Sequence, residues 1–388
     1  MLDRLDLGDF LDRLIPQGRE DIHWSTMTIA LVLMHLCEPS SELRVAEHLY
    51  ERSPLGNLLG IPPDRVNEDR LYRALDCLLP HKVEIEKYLK ERLGELFSLK
   101  YDLLLYDVTS TYFEGEGRSN RQARRGYSQD HRPDCKQVCI ALVVSQEGMP
   151  LGYEVFDGNR TDVTTVEEIV EKIEAQYGSA SRIWVMDRGM VSEENLVYLR
   201  SGGRRYIVGT AKSYLRHFER EILGEDWQEV REGLEVRLCP SPDGQETFIL
   251  CRSASRAVKE KQIHDRFEKR IEKGLDKLVE SCRKRKQKVG VVERRVGRLL
   301  EGNSRAAGLF KIEMTEAEGR GATVAWEKIE GWRRWAELSE GCYLLRSNIT
   351  DWDAGQLWHA YIQLTEAEAA FRIQKGDLQI RPIWHQKE

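Results

Sequence analysis

Two periodicities divide this chain. Up to about Phe97, apolar residues recur every three to four positions, as in helices with one buried face. Leu5, Phe10, Leu11 and Leu14 begin such a face, and Pro16-Gln17-Gly18 breaks it. The run from Trp24 to Cys37 predicts a buried helix; at 14 residues, with His35 inside it, it is too short to cross a bilayer. Pro39-Ser40-Ser41-Glu42 ends it and offers Ser40 or Ser41 as the cap of the next helix. A turn at Gly60-Ile61-Pro62-Pro63 precedes two more helices, the second from about His81 to Phe97.

From residue 101 the apolar positions gather into short runs. Leu103 to Thr109 predicts a buried strand whose apolar part ends at Asp107. Lys136 to Ser145 and Pro150 to Phe156 predict two more strands, joined by a hairpin turn at Gln146-Glu147-Gly148-Met149. Asp162 to Tyr177 predicts an amphipathic helix, Arg182 to Met186 a strand terminated by Asp187, Ser192 to Arg200 a helix, and Arg205 to Gly209 a fifth strand. Three antiparallel strands followed by helix, strand, helix and strand make an α/β sheet covered by helices.

Between about 213 and 340 the pattern changes again. Strands are expected at Val236–Leu238 and Thr247–Cys251, around Pro240-Ser241-Pro242-Asp243-Gly244. A long charged helical stretch runs from Ala254 to Leu300. A hairpin follows, Phe310–Thr315 and Thr323–Lys328, turning through Glu318-Gly319-Arg320-Gly321. Strand character resumes at Tyr343–Ser347, and Ala354–Gly376 predicts one strong helix. The expected organisation is a helical region over 1–100, an α/β core over 101–212 and 341–388, and an inserted subdomain over 213–340.

A hydrophobic content of 41% with 32% charged residues describes a folded, soluble chain rather than a disordered one. The N-terminus shows no basic-then-apolar leader, so a cytosolic protein without a membrane partner is expected. Of the eight cysteines, Cys135 and Cys139 are four apart, but no second Cys/His pair follows at zinc-site spacing. The net charge of -6 argues against a nucleic-acid partner until its distribution is considered. Residues 256–300 hold 16 Lys/Arg against 7 Asp/Glu, a local +9, which leaves -15 elsewhere and predicts a segregated basic surface.

Two carboxylates, Asp107 and Asp187, follow apolar strands, and the end of a strand in an open α/β sheet faces the crevice where ligands gather. Either alone passes for a turn residue; the pair is the stronger signal. On the last helix Tyr361, Leu364, Glu368 and Lys375 are spaced by three, four and seven, which places them along one stripe, with Phe371 and Arg372 near it. Charges on a stripe that also carries Tyr, Leu and Phe need a partner or a metal. Glu366 falls on a different side of the helix.

These residues, in this order, resemble the DDE transposases of bacterial insertion sequences, in the branch with an insertion before the last catalytic residue. That branch has a signature of Tyr, two residues, Arg, three residues, Glu, six residues, Lys. Tyr361, Glu368 and Lys375 match it, and Leu364 stands where Arg is expected. Asp187-Arg188-Gly189 and the segment GMPLGYEVFDGNRTD also match the family's style, so the resemblance runs from about Tyr101 to His385. It implies an RNase H-like core with a mixed α/β insertion. It implies that Asp107, Asp187 and Glu368 are catalytic and hold two Mg²⁺ (or Mn²⁺) ions. It further implies DNA as partner, both element ends and target, and a homodimer on paired ends.

Tyr361, Lys375, Arg372 and Arg188 are the expected DNA contacts near that site. Lys284, Arg285, Lys286 and Lys288 are candidates for the phosphate backbone, as are the loop residues Arg118, Arg121, Arg124 and Arg125. Trp326, Trp332 and Trp335 are candidates for stacking on a displaced base, with Trp326 foremost. If Arg372 replaces the missing Arg, Leu364→Arg is expected to have little effect. Two alternatives stay open: an RNase H-like nuclease that cuts without joining, and a truncated or domesticated copy that binds DNA without catalysis.

Overall fold

The computed structural model describes residues 2–178, 182–241, 243–317 and 321–384. The expected turn residues Pro242, Glu318, Gly319 and Arg320, and His385, lie outside the described residues. The chain forms two compact units, Met1–Gly209 with His359–Glu388, and Thr210–Trp358.

The first unit begins with helices α1 (Trp24–Cys37), α2 (Glu68–Leu78) and α3 (Lys82–Phe97). Asn67 caps α2 by accepting from the Arg70 amide at 2.9 Å, and Ser41 caps the short turn Glu42–Arg44. Met27, Ala30 and Met34 of α1 close a core with Leu71 and Ala74 of α2. Five strands follow: β1 (Leu103–Tyr112), β2 (Gln137–Val144), β3 (Pro150–Asp157), β4 (Ile183–Met186) and β5 (Arg205–Thr210). Their order is β3-β2-β1-β4-β5, antiparallel from β3 to β1 and parallel from β1 to β5. Helices α4 (Val166–Tyr177) and α5 (Glu193–Ser201) lie between the parallel strands in sequence. They bury Val166, Ile169, Val170, Ile173, Leu196 and Leu199 against Tyr106, Val108, Trp184, Met186 and Tyr206 of the sheet. Each fully buried aliphatic side chain contributes roughly 1.5–3 kcal/mol, so this face fixes the strand register. The mixed α/β core expected from the sequence, RNase H-like in its strand succession, is present.

β1 does not stop at Asp107. It continues to Tyr112, paired with β2 throughout. The strand was expected to reach Thr109; Ser110 and Thr111 continue it, and the hydroxyls of Thr109 and Ser110 find partners. Thr109 Oγ1 donates to Gln129 Oε1 at 2.8 Å, and Ser110 Oγ accepts from the Gln129 amide at 3.3 Å. The loop after β3 crosses β2 so closely that a Cβ at Gly158 would meet the Gln137 carbonyl at 1.8 Å.

The second unit contains β6 (Gln228–Arg231), β7 (Leu234–Pro240), β8 (Thr247–Ser253), α6 (Ala254–Lys284), α7 (Val289–Glu301), β9 (Phe310–Ala317), β10 (Gly321–Lys328), α8 (Glu330–Ser339) and β11 (Cys342–Ser347). β11, β8, β7 and β6 pair antiparallel in that order, and β9 with β10 forms the expected hairpin. On β11, Arg346 makes a buried two-bond ion pair with Glu246, at 3.0 and 2.7 Å, which satisfies both charges away from water. The helical stretch predicted over 254–300 is two helices. Arg285 turns extended, and the Gln287 carbonyl is taken by the Ala322 amide of the hairpin at 2.9 Å.

The chain then passes through α9 (Ala354–Ile362) and α10 (Leu364–Lys375), where one helix was expected. The break has a local cause. Thr365 Oγ1 donates to the Ile362 carbonyl at 2.8 Å, and the Glu366 amide bonds to Gln363 at 2.7 Å, so the turn tightens instead of continuing. α10 lies on β1 and β2 through the buried stripe Leu364, Ala367 and Phe371. The segment after it returns to the sheet: the Ile383 amide donates to Tyr112 at 2.8 Å, and Ile383 packs with Phe113, Ala123 and Val138.

Candidate active site

The register of β1 with β4 positions the first two candidates. Tyr106 pairs with Met186 as the last parallel pair, so the residues that follow, Asp107 and Asp187, are neighbours across the strands, whose spacing is about 4.8 Å. Asp187 remains extended (φ -73°, ψ 164°) before a short 3₁₀ turn, Arg188–Met190. Because side chains alternate, Tyr106 and Met186 point into the helix-covered core and both aspartates point to the opposite face. That face carries Leu105 and Leu142 and is the one covered by α10.

Glu368 follows the buried Ala367 on α10 and is solvent-exposed. Its charge nevertheless reaches Asp107. Burial first, and then the charges of Asp187, Glu368 and Asp162, together push the Asp107 carboxyl up to about 7, against the lowering by the Val108 amide bonded to its Oδ1 at 2.9 Å. Asp162 is a carboxylate that sequence inspection passed over as a helix-start residue. It begins a 3₁₀ turn, Asp162–Thr165, and burial followed by the charge of Asp187 raises it as well. Thr165 fixes that turn: its Oγ1 donates to the Asp162 carbonyl at 2.6 Å and meets the buried Tyr106 hydroxyl at 2.6 Å. The available signal was the GNRTD segment, which follows β3 and aims its Asp at the same region.

Among the described residues, no Lys, Arg or His forms an ion pair with Asp107, Asp162, Asp187 or Glu368. Neither do any three His, Cys, Asp or Glu side chains, as placed, close around one point. Four carboxylates without counter-cations, one of them held near neutrality by burial, are hard-oxygen donors suited to divalent cations such as Mg²⁺. The donor chemistry fits such ions, with Asp107 and Asp187 adjacent and Glu368 within electrostatic reach.

Tyr361 belongs to the same group. Its hydroxyl donates to Asp187 Oδ1 at 3.5 Å and lies 2.7 Å from where a Cβ on Gly209 would sit, so a side chain there would push the hydroxyl aside. Lys375 is nearly buried and paired with Asp130 at 3.2 Å. Burial lowers its pKa, which Asp130 partly offsets. Arg188 and Arg372 are exposed.

Leu364 is buried in the first turn of α10, 7% exposed. This reverses the expectation that Leu364→Arg is mild. Burying a guanidinium there is expected to cost about 3 kcal/mol and to lower Tm by roughly 10 °C, measured by thermal melt. A Tm within 2 °C of the parent would show that α10 is not anchored as described.

The remaining candidates lie elsewhere. Arg118, Arg121, Arg124 and Arg125 are exposed in the loop after β1, where Arg118 pairs with Glu116. In the second unit Lys284, Arg285, Lys286 and Lys288 are exposed where α6 gives way to α7, and Lys284 pairs with Glu280 at 3.0 Å. Trp326 is half-buried against Phe310, with ring centroids 5.7 Å apart, and Trp332 and Trp335 pack at the edges of the unit's two cores.

Residues 98–272 match the sequence profile of the transposase DDE domain family. The chain is similar in structure to a piggyBac transposase in a synaptic complex with hairpin DNA, at 9% identity and a TM-score of 0.42, over 96% of this chain and 65% of that one. It is also similar to a Mos1 transposase in a paired-end complex with a left transposon end, at 12% identity and a TM-score of 0.20, over 53% of this chain and 64% of that one. The chain thus spans a little under two thirds of those proteins. No curated protein matches it.

Proposed function

We propose, from the match of residues 98–272 to the transposase DDE domain family, that the chain cuts and joins DNA as the transposase of a bacterial insertion sequence. The observation that carries this is the pairing of Asp107 beside Asp187, uncompensated by any cation among the described residues, with the Glu368 charge acting on the first of them. In this proposal Asp107, Asp187 and Glu368 would together hold two Mg²⁺ or Mn²⁺ ions. When bound, the ions stabilise the charge that develops on the attacking and leaving oxygens.

The protein's own groups do the positioning. Tyr361 orients the Asp187 carboxylate through its hydroxyl. Lys375, Arg372 and Arg188 neutralise phosphates beside the carboxylates. Lys284, Arg285, Lys286 and Lys288 add salt-sensitive backbone affinity, and the outer face of Trp326 offers a stacking surface for an unpaired base. Water attacks the phosphodiester at the element end and frees a 3′-hydroxyl. That hydroxyl then attacks a target phosphodiester, displacing the target strand's own 3′-oxygen. Two copies of the chain holding two ends are the proposed assembly.

The test is nicking of supercoiled plasmid with Mn²⁺, wild type against Asp187→Ala. Equal activity in the two ends the assignment. Joining of a pre-cut end to plasmid distinguishes a transposase from a nuclease of the same fold. A subtler outcome is expected at Gly209. Gly209→Ala displaces Tyr361 from Asp187 and should slow nicking about tenfold, the equivalent of one hydrogen bond, with Tm nearly unchanged. Unaltered nicking would remove Tyr361 from the site.

A further inference from the structure

The scheme above uses Lys375 but not the two residues clustered with it beside the carboxylates, Asp130 and Arg381. Asp130, in the loop after β1, is almost wholly buried, its side chain 5% exposed. Its Oδ1 accepts from Lys375 Nζ at 3.2 Å and also from Arg381 Nη1, while its Oδ2 has no hydrogen-bond partner. One carboxylate therefore draws two cations onto a single oxygen and leaves the trio with a net positive charge. The trio is fastened from three directions. The adjacent Gln129 is bonded to Thr109 and Ser110 of β1, two and three residues beyond Asp107. Lys375 is seven residues past Glu368 on α10, so it lies on the same side of that helix two turns on. Arg381 is brought in by the returning segment, where Ile383 bonds to Tyr112 and Glu114. Arg381 is 39% exposed and Lys375 12%, so the pair presents a partly open cationic edge.

We propose that Asp130 is a positioning residue that holds Lys375 and Arg381 together as a seat for one phosphodiester group of bound DNA, next to the cleavage site. This rests on the chain being a DNA-cutting enzyme, and it adds Arg381 and Asp130 to its machinery. Burial explains why a carboxylate can serve here. An unpaired buried carboxylate is costly, so Asp130 keeps both cations near it, and the cations retain an excess charge for the phosphate. Lys375 also feels the charges of Arg381 and Asp107, which places the seat within electrostatic reach of the carboxylates.

The test measures binding of a fluorescein-labelled duplex of arbitrary sequence against salt, and Mn²⁺-dependent plasmid nicking at saturating DNA. Arg381→Gln, on an exposed side chain, is expected to lower the slope of log affinity against log salt by about 0.9 and to raise half-saturating DNA roughly tenfold. Asp130→Asn separates positioning from bulk charge. Loss of a negative charge alone would tighten DNA binding and leave nicking equal or faster. Positioning requires nicking at saturation to fall roughly 30-fold without weaker binding, about 2 kcal/mol. That fall should vanish in a Lys375→Gln, Arg381→Gln background. Wild-type nicking by Asp130→Asn, or a loss that persists in that background, overturns the proposal. An unchanged salt slope for Arg381→Gln overturns it too, and does so even if the wild type fails to nick, a result that would instead count against the transposase assignment.

Discussion

Glu368→Gln is expected to reduce Mn²⁺-dependent strand cleavage about 10³-fold or more, while duplex affinity stays within a few-fold of wild type. One ligand's share of transition-state charge stabilisation is several kcal/mol, and each 1.36 kcal/mol is about tenfold in rate. The substitution keeps the shape and polarity of an exposed helix residue, so folding is not at stake. The control is two residues away. Glu366 is exposed on the same helix but lies against the Gly148 turn between β2 and β3, and Glu366→Gln should cleave like wild type. Plasmid nicking of the two variants side by side decides the matter. Equal rates for both would mean that α10 contributes a scaffold and no ligand.

The second large effect is on stability. Asp107→Asn is expected to make the metal-free protein more stable above pH 7. Its carboxyl rises from about 4 in the unfolded chain to about 7 in the folded one, chiefly through burial. The folded state therefore binds more protons than the unfolded state between those values. Stability is highest with this group protonated and falls as pH rises from about 4 to above 7, by a few kcal/mol. The amide cannot ionise, so the variant escapes that loss. A divalent cation favours the charged form, so Mg²⁺ should raise the wild-type Tm at pH 8 and leave Asp107→Asn unmoved. Metal-free melts at pH 5 and pH 8, repeated with Mg²⁺, test this. A variant less stable than wild type at pH 8, or equally sensitive to pH, would show that Asp107 is not buried as described.

The strands that carry the aspartates were legible because each is a run of aliphatic residues closed by a carboxylate, and a buried sheet demands such runs. The far end of β1 was not, since Ser110 and Thr111 are polar and are strand residues through their pairing with β2, with Gln129 bonded to the Thr109 and Ser110 hydroxyls. The stripe of Tyr361, Glu368 and Lys375 was legible from helical spacing, although the helix is broken at Gln363 by a side-chain bond that periodicity cannot register. Leu364 illustrates the reverse: read as a substitution in a signature, it is a core residue in space. Asp162 and Asp130 escaped notice because each sits among polar loop residues, and only the crossing of loops over the sheet buries them.

The placement of the third carboxylate on α10 has a consequence for how the protein comes into being. Asp107 and Asp187 are made before Glu368, which follows Asp187 by 181 residues. A nascent chain, or one cut short before Leu364, carries both aspartates but no Glu368, and it leaves Leu105, Leu142 and Val144 uncovered. Such a fragment would lack one of the three proposed metal ligands and would expose apolar surface, a state that proteases remove.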